Sequence, residues 1–267
     1  EEILRQSNAR WFAERGYSVN SRMPYLLAER EEWEKNIILE EVANYIKAEQ
    51  NQRAAQQKGF PLHKYIHHGL SSQAMLFNLV GPLVVQGNLE PLQKAFEAGG
   101  INWPVGTVHS KFEVEDREIF KEDYGQPTSI DLVIQGDDGS PSIFIEAKLV
   151  EAAFGGCSVF QDGDCDGRNP AYDPKQCYLH HVGRRYWEQL EKHGFLSGLA
   201  GSSPICPLAV YYQFFREVLF AIESKGDFVL LYDARNPSFY ANGMDEKRGL
   251  MPFLLTFVPE GLRSRVY

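Results

Sequence analysis

The N-terminal part of the chain has apolar residues at helical spacing. Across residues 1–57 they recur every three or four positions, as at Ile38, Val42 and Ile46, among Glu, Lys, Arg, Gln and Ala. This pattern predicts helices, and no alternating run interrupts it. We therefore expect residues 1–57 to form a helical N-terminal extension.

Two further helices are predicted before the pattern changes. Ser71 or Ser72 is a suitable N-cap for the apolar run that follows, and we expect that helix to end near Gly81–Pro82. The stretch LEPLQKAFEAGG predicts a shorter helix that stops at its glycine pair. The first of these two helices is so apolar that we expect it to be buried against a sheet.

From about residue 107 apolar and polar residues alternate. VHSKFEVEDREIF, SIDLVIQG and SIFIEAKLV predict three consecutive strands, and the short DDGSP turn makes the last two a hairpin. After a loop-rich stretch, YLHHVGRRYWEQLEKHG and PLAVYYQFFREVLFAIESKG predict helices, and FVLLYDAR predicts a short apolar strand at the centre of the sheet. This order indicates an α/β fold with a mixed sheet flanked by helices.

Composition and charge narrow the classes of function. The chain has 267 residues, 43% of them hydrophobic, which is typical of a soluble globular protein. Its apolar stretches are shorter than the roughly 20 residues that span a bilayer. The net charge of -9 argues against a protein that coats nucleic acid through overall charge. The N-terminus lacks the pattern of a secretion signal, so we expect a cytoplasmic location.

Three ionisable residues interrupt the apolar hairpin. Asp131 lies near the start of its first strand, and Glu146 and Lys148 lie at the end of the second. Because successive side chains on a strand point to opposite faces, Glu146 and Lys148 share a face. Antiparallel pairing brings Asp131 to the same end of the hairpin. The three charges are therefore expected to converge.

This cluster has a specific chemistry. Adjacent buried carboxylates repel each other unless a cation neutralises them, and a hard divalent ion is the usual one. Asp131, Glu146 and the main-chain carbonyl of Ala147 form a set that can hold Mg²⁺. Lys148 can then orient a water molecule or stabilise charge that develops on a phosphoryl group. The alternative is a surface hairpin with an ordinary Glu–Lys pair.

Asp131, followed fifteen positions later by Glu146-Ala147-Lys148, resembles the PD-(D/E)xK signature of the restriction-endonuclease-like nuclease superfamily. The resemblance extends to bacterial restriction endonuclease-like proteins of that superfamily. Its members carry the motif on adjacent strands of an α-β-β-β-α-β core, and the element order predicted over about residues 70–235 matches this core. Thr128-Ser129-Ile130 stands where a proline often precedes the Asp.

The resemblance implies a nuclease-like domain over residues 58–267. It implies a hydrolase that cleaves phosphodiester bonds of DNA with Mg²⁺, for which Mn²⁺ can substitute, in restriction, defence or repair. The expected partner is nucleic acid, with no membrane association, and a homodimer is the expected oligomer. The alternative is a catalytically inactive protein of the same fold that binds nucleic acid or takes part in assembly.

The resemblance also implies supporting residues for the site. Glu113 and Glu115 share a face of the first strand, and Glu115 is the favoured third acid, both as a metal ligand and in catalysis. A solvated edge of the sheet is the alternative. Gln213, on the helix after the motif, resembles the polar residue that contacts the substrate or a metal-bound water in many relatives. Its alternative is an ordinary helix glutamine.

Four cysteines follow the motif. They suit a structural zinc ion or an iron–sulfur cluster, although no two of them form a CxxC pair, and buried or free thiols are the alternative: Cys157, Cys165, Cys177 and Cys206. If zinc in this loop were the working metal, the protein would be a different kind of hydrolase.

Basic and aromatic residues offer candidate contacts to nucleic acid. An Arg can pair with phosphate through two hydrogen bonds, and aromatic rings can stack on exposed bases. A solvated helix face is the alternative for all of these candidates, which are Lys58, Lys64, Arg184, Arg185, Tyr186 and Trp187.

Overall fold

The structure, a computed structural model, describes residues 1–137, 139–201, 203–240 and 249–267. The chain forms two compact units. One comprises Glu1–Trp103 and Ala147–Val150, and the other comprises Pro104–Glu146 and Glu151–Tyr267. The helical N-terminal extension over residues 1–57 and the nuclease-like domain over residues 58–267 stay predictions.

The first unit is helical. Its elements are α1 (Glu2–Glu14), a 3-10 helix (Arg30–Asn36), α2 (Glu40–Ala55), α3 (Ser72–Val85) and α4 (Glu90–Ala98). The predicted N-cap of α3 is confirmed, because the Ser71 hydroxyl accepts a hydrogen bond from the Ala74 N–H at 3.3 Å. The predicted helix over LEPLQKAFEAGG is confirmed as α4, which ends at the glycine pair.

The predicted end of α3 at Gly81–Pro82 is wrong. The helix continues to Val85 with Pro82 inside it. Proline removes only its own N–H, and Gln86 N still donates to Pro82 O at 3.0 Å. Gly81 has a packing role, since a Cβ placed there would lie 2.5 Å from Val42 Cγ1 on α2.

The chain also forms a four-stranded mixed sheet. Its strands are β1 (Val108–Glu115), β2 (Ser129–Gly136), β3 (Ile143–Lys148) and β4 (Asp227–Tyr232), and they lie in the order β1-β2-β3-β4. β2 pairs antiparallel with both β1 and β3, which confirms the three consecutive strands and the hairpin. The α/β class is confirmed.

The remaining helices follow β3. They are α5 (Ser158–Gln161), a 3-10 helix (Pro174–Gln176), α6 (Tyr178–His181), α7 (Tyr186–Lys192), α8 (Leu196–Ala200), α9 (Pro207–Glu223), α10 (Leu250–Leu255) and α11 (Glu260–Arg263). α9 confirms the predicted helix that precedes the last strand. The single helix predicted over YLHHVGRRYWEQLEKHG is wrong, because Gly183, at a φ of 88°, separates α6 from α7.

The expectation that FVLLYDAR forms a central strand is also wrong. β4 is the last strand in the sheet order. Its outer side is nevertheless paired, because Phe228 N donates to Arg265 O and Leu230 N donates to Tyr267 O, both at 2.9 Å. The C-terminal residues thus bury a strand whose apolar composition suggested a central position. Among the described residues, no helix combines the length and the apolar character that a membrane crossing requires.

Candidate active site

The pairing of β2 with β3 brings two carboxylates together. The register pairs Leu132 with Ile145 and Ile134 with Ile143. If this antiparallel register continues by one more residue along each strand, Asp131 lies opposite Glu146. Directly opposed residues of an antiparallel pair have Cβ atoms about 4.5–5.5 Å apart and lie on one face of the sheet. The two acids predicted from the hairpin are therefore cross-strand neighbours.

The two faces of this hairpin differ in character. Ile130, Leu132 and Ile134 of β2 are fully buried on one face. Asp131 is on the other face and is half-buried, whereas Glu146 is only 3% exposed. A buried carboxylate beside a second acid is costly unless hydrogen bonds or a cation balance the charge. This end of the sheet is therefore suited to chemistry more than to packing.

The helix α9 packs on the face that carries the acids. The ring of Phe220 contacts Phe144 of β3, with ring centroids 5.7 Å apart. Farther toward the N-terminus of α9, Gln213 Nε2 donates to Glu146 Oε1 at 2.7 Å. The other end of this amide accepts from Gly155 N at 3.2 Å. Gln213 is thus oriented at both ends and fixes one oxygen of Glu146.

On β1, the register separates the two candidate acids. Glu115 is half-buried and pairs with Ser129, at the end of the strand. Glu113 is buried, and the pairs that flank it set it across from Asp131. Glu113 has a φ of 52° and accepts a hydrogen bond from Ser129 Oγ at 3.0 Å. Positive φ is uncommon for glutamate and requires support from its surroundings. Glu115 as a third acid stays a prediction.

The other motif residues end β3. Ala147 and Lys148 are both buried. Lys148 follows Glu146 by two positions on the same strand, so the two side chains leave it on the same face. Glu151 lies beyond the strand, where its main-chain oxygen accepts from Asn236 Nδ2 at 2.9 Å.

One acidic residue near the site escaped the sequence interpretation. Glu217 lies one turn after Gln213 on α9 and is only 1% exposed. Helical geometry sets Gln213, Glu217 and Phe220 on one stripe of the helix, and the contacts of Gln213 and Phe220 show that this stripe faces the sheet. The signal in the sequence was a carboxylate four residues after Gln213 on an otherwise apolar stripe.

None of the four cysteines, all of which the structure describes, forms a disulfide. Cys157 and Cys206 are buried at the N-caps of α5 and α9, and Cys165 and Cys177 are half-buried. Burial raises the pKa of Cys206 to about 11, and nearby Cys177 and Cys157 add to this shift. Burial likewise raises the pKa of Cys157. Both thiols are therefore protonated near neutral pH.

Within the described ranges, no three or more His, Cys, Asp and Glu side chains are grouped so that they could hold a metal ion. The structural zinc or iron–sulfur cluster stays a prediction, and so does the alternative of buried or free thiols.

The expectation that Tyr186 and Trp187 stack on bases is wrong. Both rings belong to the hydrophobic core, at 3% and 1% exposure. Arg184 donates from Nη1 to the main-chain oxygen of Lys121 at 2.8 Å, so it holds a neighbouring loop. Arg185 is exposed and pairs with Glu188 at 3.0 Å.

Lys58 and Lys64 are exposed. Their contact with phosphate, like that of the two arginines, stays a prediction.

No curated protein and no solved structure matches the chain significantly. The sequence model of one protein family, described as Restriction Endonuclease associating with ARP, matches residues 5–267. This match covers nearly the whole chain, including the hairpin and α9. The chain therefore belongs to this restriction-endonuclease-like family.

Proposed function

We propose that the protein is a metal-dependent deoxyribonuclease of the PD-(D/E)xK superfamily. The observation that carries the proposal is the register of β2 and β3, whose extension by one residue would set Asp131 opposite Glu146, together with the hydrogen bond from Gln213 to Glu146. Membership of a restriction-endonuclease-like family supports a nuclease. The four-stranded mixed sheet with its helices agrees with the α-β-β-β-α-β core that the resemblance implies.

The residues present fit a hard divalent cation. Carboxylate and carbonyl oxygens are the ligands that Mg²⁺ prefers, and one or two protein carboxylates are its usual complement. Asp131, Glu146 and the carbonyl of Ala147 would hold Mg²⁺ or Mn²⁺, and Glu115 is a candidate for a further ligand. When bound, such an ion polarises a phosphoryl oxygen and lowers the pKa of a water molecule.

The side chains of the protein would supply positioning and charge. Gln213 holds one oxygen of Glu146 by its amide, so that carboxylate has a fixed orientation before substrate arrives. Lys148 would orient the attacking water and stabilise the charge that develops on the phosphoryl oxygens. Hydrolysis would be an in-line displacement at phosphorus.

The biological setting is also part of the proposal. The description of the family names restriction endonucleases and an association with ARP. We extend both to this chain, with DNA as substrate, ARP as partner, a homodimer as the oligomer and restriction, defence or repair as the role.

The test is cleavage of plasmid DNA by the wild type and by Lys148→Ala. We expect cleavage in Mg²⁺ or Mn²⁺, none in EDTA, and a strong loss in Lys148→Ala. Lys94→Ala is the matched control, because Lys94 is exposed on α4 and pairs with Glu90 on the same helix. A folded wild type that binds DNA but cleaves neither single- nor double-stranded DNA in any of several divalent metals would favour the inactive binding protein instead.

A structural metal at the cysteines is a separate proposal. Zinc or an iron–sulfur cluster held by Cys157, Cys165, Cys177 and Cys206 would tie together the loops that precede α9. Elemental analysis of the purified protein tests it, and protein that contains neither zinc nor iron contradicts it.

A further inference from the structure

A further carboxylate is buried within the loop that joins β1 and β2. Glu122 is 1% exposed and lies within the second compact unit. A fully buried carboxylate is retained only where donors surround it. Its partners therefore indicate what Glu122 holds in place.

Both oxygens of Glu122 bind the residue that precedes β2. Oε2 accepts from Thr128 N at 2.6 Å, and Oε1 accepts from Thr128 Oγ1 at 3.0 Å. Thr128 is completely buried. Asp131 follows Thr128 by three residues. Glu122 therefore holds the start of β2, the strand that contains Asp131, in place.

The same carboxylate also binds two helices. Tyr186 of α7 donates its hydroxyl to Oε1. Arg216 of α9 brings Nη1 to 3.9 Å from Oε1, and its guanidinium lies 4.7 Å above the ring of Tyr212. Burial raises the pKa of Tyr186, so the phenol remains a donor. Burial alone would lower the pKa of Arg216, but Tyr212, Tyr186 and Glu122 outweigh it and the pKa is raised.

Glu122 therefore connects two elements that meet again at the acids. Thr128 lies three residues before Asp131, and Arg216 lies three residues after Gln213. We propose that Glu122 is a positioning residue, which sets β2 and α9 at the spacing that the Asp131–Glu146–Gln213 group requires. This inference rests on the proposed nuclease function and adds a residue that does not contact the substrate.

The substitution Glu122→Gln tests the role of the charge. Glutamine keeps the shape but cannot accept hydrogen bonds at both ends, and it removes the charge that faces Arg216. A displacement on the order of 1 Å at a reacting group can cost up to about 100-fold in rate. We expect Glu122→Gln to lower kcat between about 10- and 100-fold, to leave KM for DNA unchanged and to weaken Mn²⁺ binding measured by calorimetry.

Asp227→Asn is the matched control. Asp227 is also a buried acid beside an arginine, with Arg265 Nε 3.3 Å from its Oδ1. It opens β4 next to Ser142, whose carbonyl accepts from Asp227 N at 2.8 Å. That contact lies at the opposite end of β3 from Glu146. We expect Asp227→Asn to lower the melting temperature but to keep the kcat and Mn²⁺ affinity of the wild type.

If Glu122 only stabilises the fold, Glu122→Gln and Asp227→Asn should both lose stability, and neither should change the kcat or the Mn²⁺ affinity of the folded protein. That result overturns the inference while the wild type still cleaves DNA. If Glu122→Gln does not fold, Thr128→Val decides, since it removes one hydroxyl donor and keeps the charge, with a smaller fall of kcat expected. A wild type that neither binds Mn²⁺ nor cleaves DNA overturns the nuclease proposal and this inference together.

Discussion

Two buried carboxylate groups in the second unit have opposite surroundings. Glu122 faces donors from two segments, at Thr128 and Tyr186, and the guanidinium of Arg216 from a third. Glu146 receives an amide proton from Gln213 and faces Asp131 across the strands. A carboxylate matched by donors and a cation holds structure together, whereas two opposed carboxylates repel each other and favour the binding of a metal cation. Substitutions in the first group should therefore lower stability and affect the rate only through the positions of Asp131 and Gln213, whereas substitutions in the second group should affect the rate directly.

The largest expected effect is on the rate of cleavage. Glu146→Gln removes one of the opposed charges and should reduce DNA cleavage about 1000-fold, because loss of a metal ligand costs several kcal/mol of transition-state stabilisation. The melting temperature should stay constant or rise, since the repulsion is gone. Cleavage rates and thermal unfolding measure both outcomes. Glu188→Gln, at an exposed acid, should change neither, and full activity in Glu146→Gln would contradict the assignment.

Substitution of Glu122, unlike that of Glu146, should lower the stability of the protein. Glu122→Ala removes the partner of a buried arginine and should lower the free energy of unfolding by about 3 kcal/mol. Urea denaturation measures this loss. Glu188→Ala is the control, and its surface pair should contribute less than about 1 kcal/mol. If the free energy of unfolding of Glu122→Ala fell by less than about 1 kcal/mol as well, the Glu122 group would not stabilise the fold more than a surface ion pair does.

Gln213 allows a finer test of the acidic group. Gln213→Ala removes the donor to Glu146 and should slow cleavage about tenfold, the effect of roughly 1.4 kcal/mol in the barrier. Gln213→Glu should slow it further, because it replaces the donor with a third negative charge. Gln176→Ala, at an exposed glutamine bonded to Asp173, is the control in the same cleavage assay. Equal rates in all three variants would remove Gln213 from the site.

The smallest expected effect concerns one hydrogen bond to Glu122. Tyr186→Phe keeps the buried ring and removes the hydroxyl donor, so the free energy of unfolding should fall by about 1–2 kcal/mol. Tyr172→Phe is the matched control, because that ring is exposed. Denaturation curves of the two variants that coincide with the wild type would show that this bond contributes nothing.

Periodicity along the sequence predicted much of this arrangement. Alternation alone predicted that Asp131 and Glu146 lie at one end of a hairpin, and the observed pairing of β2 with β3, extended by one residue, agrees with this. Helical spacing predicted α9, which carries Gln213. These features depend on residues that are close in sequence, for which local pattern is a sufficient guide.

The rest depends on partners that are distant in sequence. The pairing of β4 with the C-terminal residues could not be inferred from the apolar run of the strand itself. Likewise, Tyr186 follows two arginines in the sequence, which is a context typical of a surface aromatic residue. Only the tertiary fold brings its hydroxyl to Glu122. The positive φ of Glu113 also has no signature in a strand with regular alternation.

The pairing along the outer side of β4 also bears on self-association. A sheet edge with open N–H and C=O groups is a template for another chain, and it promotes aggregation when it is apolar. Phe228 and Leu230 donate instead to residues 265–267, so the most apolar edge of the sheet is already occupied. The opposite edge is β1, where His109 and the exposed Lys111 discourage strand addition. Deleting residues 265–267 should therefore reduce solubility before it reduces activity.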